Sequence, residues 1–246
     1  MRTEPDRTPL PDGLGTLARL DGGGPLPELT AALNAVCEEA EDQRQRTAVA
    51  LRFAPSPPGA GEWPGDVSIH EVNRWERAVR RLERLDNVTI AVAQGTCGGP
   101  VLDLLLAADF RIGTPDLKLV LPVNHGQFWP GMTLYRLVRH VGPARARRLV
   151  LWATDIALPD AIELGVIDEV GNDVTEAVRK AALARGGLSD GEAAIRRRLL
   201  EEAASAEYQD ALGAHLAACD RELRRLRSSA PGASAGTAAG RAGAAG

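Results

Sequence analysis

Few residues in this chain combine the type and the spacing that chemistry needs, and the familiar arrangements fail in turn. Its four histidines, His70, His125, His140 and His215, have no metal-ligand spacing and there is no H-E-x-x-H, so no metal is expected. The three cysteines, Cys37, Cys97 and Cys219, form no C-x-x-C, fit neither a disulfide framework nor a zinc site, and suit a reducing cytoplasm. No G-x-S-x-G elbow is present. Gly22-Gly23-Gly24-Pro25 lacks the helix and Lys-Ser/Thr of a phosphate loop, and the glycines of Gly95-Thr96-Cys97-Gly98-Gly99 do not fit G-x-G-x-x-G. That second stretch nevertheless offers something simpler. A buried strand, a glycine turn and a helix beginning near Pro100 let a ligand approach the backbone, and a helix N-terminus favours developing negative charge.

Such a turn needs a framework. Thr47–Phe53, Val88–Gln94, Phe110–Gly113 and Leu117–Leu121 read as short strands, with Val166–Val170 as a fifth. Helical patterns occupy 28–42, 70–85, 100–108, 132–140 and 143–152; Val72, Trp75, Val79 and Leu82 make one apolar stripe of the second. These elements predict an α/β core over residues 14–171, a helical segment over 172–227 and a disordered small-residue tail over 228–246, with residues 1–13 loose. A chain of 246 residues with 44% hydrophobic content can bury a substantial core. Its formal net charge of −4 argues against nucleic acid, and no apolar run approaches the roughly 20 residues of a membrane span. The polar, proline-rich start is not a secretory signal. Nearly all positive charge is arginine, with Lys118 and Lys180 the only lysines, so arginine-rich stretches carry little meaning by themselves.

Residues 87–170 resemble the enoyl-CoA hydratase/isomerase (crotonase) superfamily. The resemblance rests on Gly95, Gly99, Asp103-Leu104, Ala107 through Gly113, Pro122, Pro130-Gly131, Leu137 with Gly142 and Ala146, and Ala161 through Val170. Upstream, Trp63-Pro64-Gly65-Asp66-Val67 stands in place of the family's A-G-A-D-[IL] loop, and Ala211-Leu212 through Asp220 resembles its closing helical segment. Membership implies a spiral of ββα units and a CoA-thioester substrate, with CoA entering only as part of that substrate and no other cofactor. It also implies a homo-oligomer, a trimer or a hexamer. The shared chemistry is enolate stabilisation by two backbone N–H groups, with carboxylates moving protons.

Carried onto this chain, the pattern makes Gly65 the first N–H donor. The second falls on Pro100, which has no N–H; a one-residue slip makes Gly99 the donor instead. The first catalytic carboxylate maps to Asp103, one methylene shorter than the family's glutamate, and the second maps to Val123 and is absent. Asn124, His125, Trp129 and His70 lie nearby, His125 as an acid or base in place of the missing group or as a plain loop residue. Asp103 reads equally as a helix aspartate near an N-terminus. The departures from the pattern resemble one branch of the family, the small hydratase-like proteins of the 3,5-dihydroxyphenylglycine pathway in glycopeptide-antibiotic producers. That branch implies a lyase assisting dehydration and aromatisation of a polyketide CoA thioester to 3,5-dihydroxyphenylacetyl-CoA. The alternatives are a catalytically weak scaffold subunit for a type III polyketide synthase or a sister hydratase, and thioester hydrolysis through His125 or Asp103.

Overall fold

In a computed structural model of the chain, residues 6–43, 47–53, 63–184 and 191–229 are described. The tail expected from 228 lies outside them beyond residue 229; Ser228 and Ser229 close the last helix. The chain divides into two compact units, Met1–Ala194 and Ile195–Gly246.

The first unit is built on a six-stranded sheet: β1 (Asp6–Pro9), β2 (Gly15–Leu20), β3 (Ala48–Phe53), β4 (Thr89–Ala93), β6 (Phe110–Gly113) and β11 (Glu169–Val170), adjacent in that order. All neighbours are parallel except β1 on β2. Parallel strands are covered on both faces, which is why β3 and β4 read as unbroken apolar runs. Their side chains still alternate. Val49, Leu51, Phe53, Ala91 and Ala93 join the core beneath α1 (Leu26–Asp42) and α2 (Ile69–Glu83). Ala48, Ala50, Ile90 and Val92 face the other way, onto Val174, Ala177, Val178 and Ala182 of α7 (Val174–Ala184).

The start of the chain differs from the sequence expectation. Residues 6–13 are ordered, as a strand and a short 3-10 turn at Pro11–Gly13. Leu10 and Leu17 are buried together in the second core, and the Leu10 N–H donates to Gly15 O at 2.8 Å. Gly15 lies so close to Ala48 that a Cβ there would overlap the Ala48 carbonyl. The alternation is too short and proline-rich to show in the sequence.

After β4 the chain makes β5 (Thr96–Cys97), α3 (Pro100–Ala107), β7 (Lys118–Leu119), the β8–β9 hairpin (Val123–Asn124 and Gln127–Phe128), α4 (Thr133–Val141), α5 (Pro143–Leu151), β10 (Ile156–Ala157) and α6 (Leu158–Glu163). β5, β7 and β10 form a second small sheet. Strands, turns and helices follow one another as the α/β reading requires. The second unit contains most of α8 (Glu192–Ala203) and all of α9 (Tyr208–Ser229), whose surface carries the Arg224–Asp220 and Arg225–Glu222 pairs. Among the described residues no helix is long and apolar enough to cross a membrane.

Candidate active site

α3 begins at Pro100. Val101 N–H donates to Gly98 O at 3.1 Å and Asp103 N–H to Gly99 O at 3.2 Å, so the first helical position is the proline itself. There its missing N–H costs the helix nothing. The donor that an ungapped match would place at Pro100 is therefore absent, and the nearest amide is that of Gly99. Gly99 has φ +51, and a Cβ on it would lie 2.8 Å from Trp63 Cβ. Glycine is required twice over, by conformation and by the approach of Trp63. Gly65, two residues after that tryptophan, has φ +80 with open space where a Cβ would be. Gly99 thus packs on Trp63 and Gly65 follows that residue by two positions, and neither glycine N–H donates to any described residue.

The loop carrying Gly65 is held by the hairpin. Trp63 N–H donates to Val123 O at 2.9 Å, and Asn124 Nδ2 donates to Gly65 O at 3.2 Å. The hairpin turns through His125 and Gly126, at φ +47 and +74, the left-handed pair that a two-residue turn between antiparallel strands demands. His125 is exposed at this turn, and His70 is exposed in the first turn of α2. Trp129 packs against the core, and Val123, standing where a second carboxylate was sought, is an exposed aliphatic side chain.

Asp103 is not a solvated helix aspartate. It is 2% exposed and held on both oxygens. Thr133 Oγ1 donates to Oδ1 at 2.5 Å, Trp75 Nε1 donates to Oδ2 at 3.1 Å, and Arg136 Nη1 lies 3.4 Å from Oδ1. The same guanidinium reaches Glu83 Oε1 through Nε at 2.7 Å and Glu76 Oε2 through Nη2 at 3.0 Å. Sequence reasoning missed Trp75 as a polar partner, and missed Glu76, Glu83, Thr133 and Arg136 altogether. The signal available was spacing: Glu76 and Glu83 recur at i,i+7 on α2, and Thr133 and Arg136 at i,i+3 on α4, each one helical face.

Burial pushes the Asp103 carboxyl above the ordinary aspartate range, opposed by the charge of Arg136 and the bonds from Thr133 and Trp75. Glu76 is raised for the same reason, with the Asp103 charge adding to it. Burial works against the Arg136 cation, but Asp103, Glu83 and Glu76 together hold its pKa above the usual arginine value. The arrangement is a carboxylate made more basic by desolvation and steered by three donors, one turn inside a helix from the Gly99 amide.

Other polar residues have structural partners. Asp109 accepts from Thr89 N and Oγ1, Arg111 binds Asp168 through Nε and Nη2 at 2.9 Å, and Arg81 of α2 binds Glu41 of α1. Among the described residues no group of three or more His, Cys, Asp or Glu side chains could hold a metal ion.

Comparison with known proteins places the chain in a family. The enoyl-CoA hydratase/isomerase model matches residues 70–231. The chain belongs to that family. A protein described as an enoyl-CoA-hydratase from Amycolatopsis orientalis is 47% identical over 208 residues, covering 84% of this chain and 95% of its own. A probable enoyl-CoA hydratase of Bacillus subtilis (strain 168) is 32% identical over 109 residues, covering 44% of this chain and 42% of its own. Among solved structures, an enoyl-CoA hydratase from Shewanella pealeana superposes with a TM-score of 0.72 at 18% identity, covering 93% of this chain and 90% of that one. A putative enoyl-CoA hydratase from Thermobifida fusca, solved in complex with CoA, superposes at 0.68 with 19% identity, covering 91% and 95%. The mixed α/β fold with helices at its C-terminal end is that of the crotonases.

Proposed function

We propose that this crotonase-family chain is a CoA-thioester lyase. Its reaction is loss of water from a cyclised polyketide thioester, giving 3,5-dihydroxyphenylacetyl-CoA on the route to dihydroxyphenylglycine. One observation carries the reading: a buried, donor-steered Asp103 lies one turn from Gly99, which packs on Trp63, and the N–H groups of Gly99 and of Gly65, two residues after Trp63, donate to no described residue. The thioester oxygen accepts from the Gly65 and Gly99 N–H groups, which stabilise it as negative charge develops. Asp103 takes the proton from Cα, the electron pair moves into the thioester as an enolate, the C–OH bond breaks, and the same carboxyl returns the proton so that water leaves. Aromatisation drives the elimination, so one carboxylate suffices where hydration of an isolated double bond would ask for two. CoA is part of the substrate, no other cofactor is needed, and the protein works in the cytoplasm as a trimer or hexamer.

A second reading has its own support. Both Asp103 oxygens already accept from protein groups, and Val123 supplies no second carboxylate. A weakly catalytic subunit that holds the polyketide synthase or a sister hydratase would keep such a site for packing alone. Product analysis of a type III polyketide synthase with malonyl-CoA separates the two. Under the lyase reading, aromatised product rises with the wild-type protein and falls more than threefold with Asp103→Asn. A stoichiometric complex with equal stimulation by both proteins establishes the scaffold.

A further inference from the structure

His140 makes two hydrogen bonds that the proposed reaction does not use. It lies near the end of α4, exposed as a residue while both its ring nitrogens are engaged. Nε2 lies 2.7 Å from Leu106 O, in the last turn of α3 where carbonyls have no helical partner, and Nδ1 lies 2.9 Å from Arg111 Nη1 of β6. A carbonyl oxygen only accepts and a guanidinium only donates. The ring is therefore neutral, with its proton on Nε2 and a lone pair on Nδ1. Arg111 is itself fixed, because Asp168 holds its Nε and Nη2. Thr133, Arg136 and His140 recur at i, i+3 and i+7, one face of α4. That face meets Asp103 and Leu106, themselves i,i+3 on α3. Thr133 thus fastens one end of α4 to α3, and His140 fastens the other.

We infer that His140 is a positioning residue for Asp103: protonated on Nε2 alone, it ties α4 to α3 and β6 and so keeps Thr133 and Arg136 on the carboxylate, and a second proton on the ring undoes the tie. The inference rests on the lyase reading only for what Asp103 does in catalysis, and it adds a pH-dependent control of that same site. A proton on Nδ1 sets N–H against N–H and a second cation 2.9 Å from Arg111 Nη1, so the contact is lost. Charged groups act on the ring from several elements. Partial removal from water, together with the Arg111 charge, holds its pKa below the ordinary histidine value, against Leu106 O, Asp168 before β11 and Glu83 of α2. On its own helix, Arg139 is turned to the Tyr135 ring. At neutral pH the tie is closed, and acid opens it.

Heteronuclear NMR of the full chain, labelled at histidine and tryptophan and followed from about pH 8 to about pH 5, tests this. Trp75 Nε1–H donates to Asp103 Oδ2 at 3.1 Å, so its resonance reports how the carboxylate is held without reference to any reaction. At the upper end wild type should show His140 in the Nε2–H form. On acidification the His140 ring and the Trp75 indole should titrate with one midpoint, below the ordinary histidine value of about 6.5. His140→Gln, which keeps an amide donor for Leu106 O and does not titrate, should lose that Trp75 transition. A cationic or Nδ1–H ring at the upper end, a Trp75 resonance that ignores the ring's titration, or the same transition in His140→Gln overturns the assignment. The first two outcomes are read on wild type alone, so they decide even where the variant fails to fold. A chain that titrates as stated yet exchanges no Cα proton of a CoA thioester loses the lyase reading and keeps the tie.

Discussion

Arg136 is shared by three carboxylates, of which Asp103 is the most buried, and this makes Asp103 a group whose charge depends on its neighbours. Removing one partner of a buried ion pair is costly because the rest are stranded, so Arg136→Met should destabilise the chain by about 3–5 kcal/mol in urea unfolding. A loss below 1 kcal/mol would mean that the carboxylates are already protonated or wet. Burial raises the proton affinity of Asp103 and of Glu76 on folding. Between the unfolded and folded pKa values the native state holds more protons than the unfolded one, so these groups make stability fall as pH rises through that window. Relative to Asp103→Asn, wild type should lose stability as pH increases from about 4; a relative gain would show that Arg136 outweighs burial. The two glycines differ in a testable way. Gly65→Ala meets open space at φ +80 and should cost roughly 1–2 kcal/mol, while Gly99→Ala also drives a Cβ into Trp63 and should cost more. The family pattern marks Asp103, Gly65 and Gly99 because those positions are set by local spacing. Thr133, Trp75, Glu76 and Arg136 escape it because they meet Asp103 only through helix packing, which no local pattern records.

The helices that carry these groups were largely legible. The apolar stripe of Val72, Trp75, Val79 and Leu82 predicts α2, and its start is fixed by a capping box in which Ser68 and Glu71 satisfy each other's backbone N–H. Because α2 presents Trp75, Glu76 and Glu83 to the site, its first turn also bears on the chemistry. Ser68→Ala should cost about 1 kcal/mol by thermal or urea unfolding while leaving the fold intact. β3 and β4 were legible as apolar runs, for the reason that both faces of the sheet are covered there. β1 and β2 were not, since Asp6–Pro9 is polar and gains its partner from residues that follow a turn. The β8–β9 hairpin escaped as well: its strands are two residues each, and its turn uses His125-Gly126 where Asn-Gly or Asp-Gly would have announced it.

Over the whole molecule, apolar side chains remain on the surface in both units, among them Leu151, Trp152, Leu200, Tyr208 and Leu216. The proposed homo-oligomer would cover adjacent exposed side chains such as Leu151 and Trp152. Light scattering on the purified chain should return three or six copies, and a monomer at micromolar concentration would remove that part of the proposal. Neither oligomeric state nor partner is written in hydrophobic periodicity, which reports a chain's own core and not which surface meets another. The central claim concerns one proton. Phenylacetyl-CoA has acidic Cα hydrogens and no hydroxyl to lose, so deuterium entry from D2O at Cα isolates enolate formation from every later step. Mass spectrometry should find exchange with the wild-type protein about 10²-fold faster than with Asp103→Asn. Exchange at the buffer rate, or at the same rate in both proteins, would leave Asp103 a packing group and the chain without lyase chemistry.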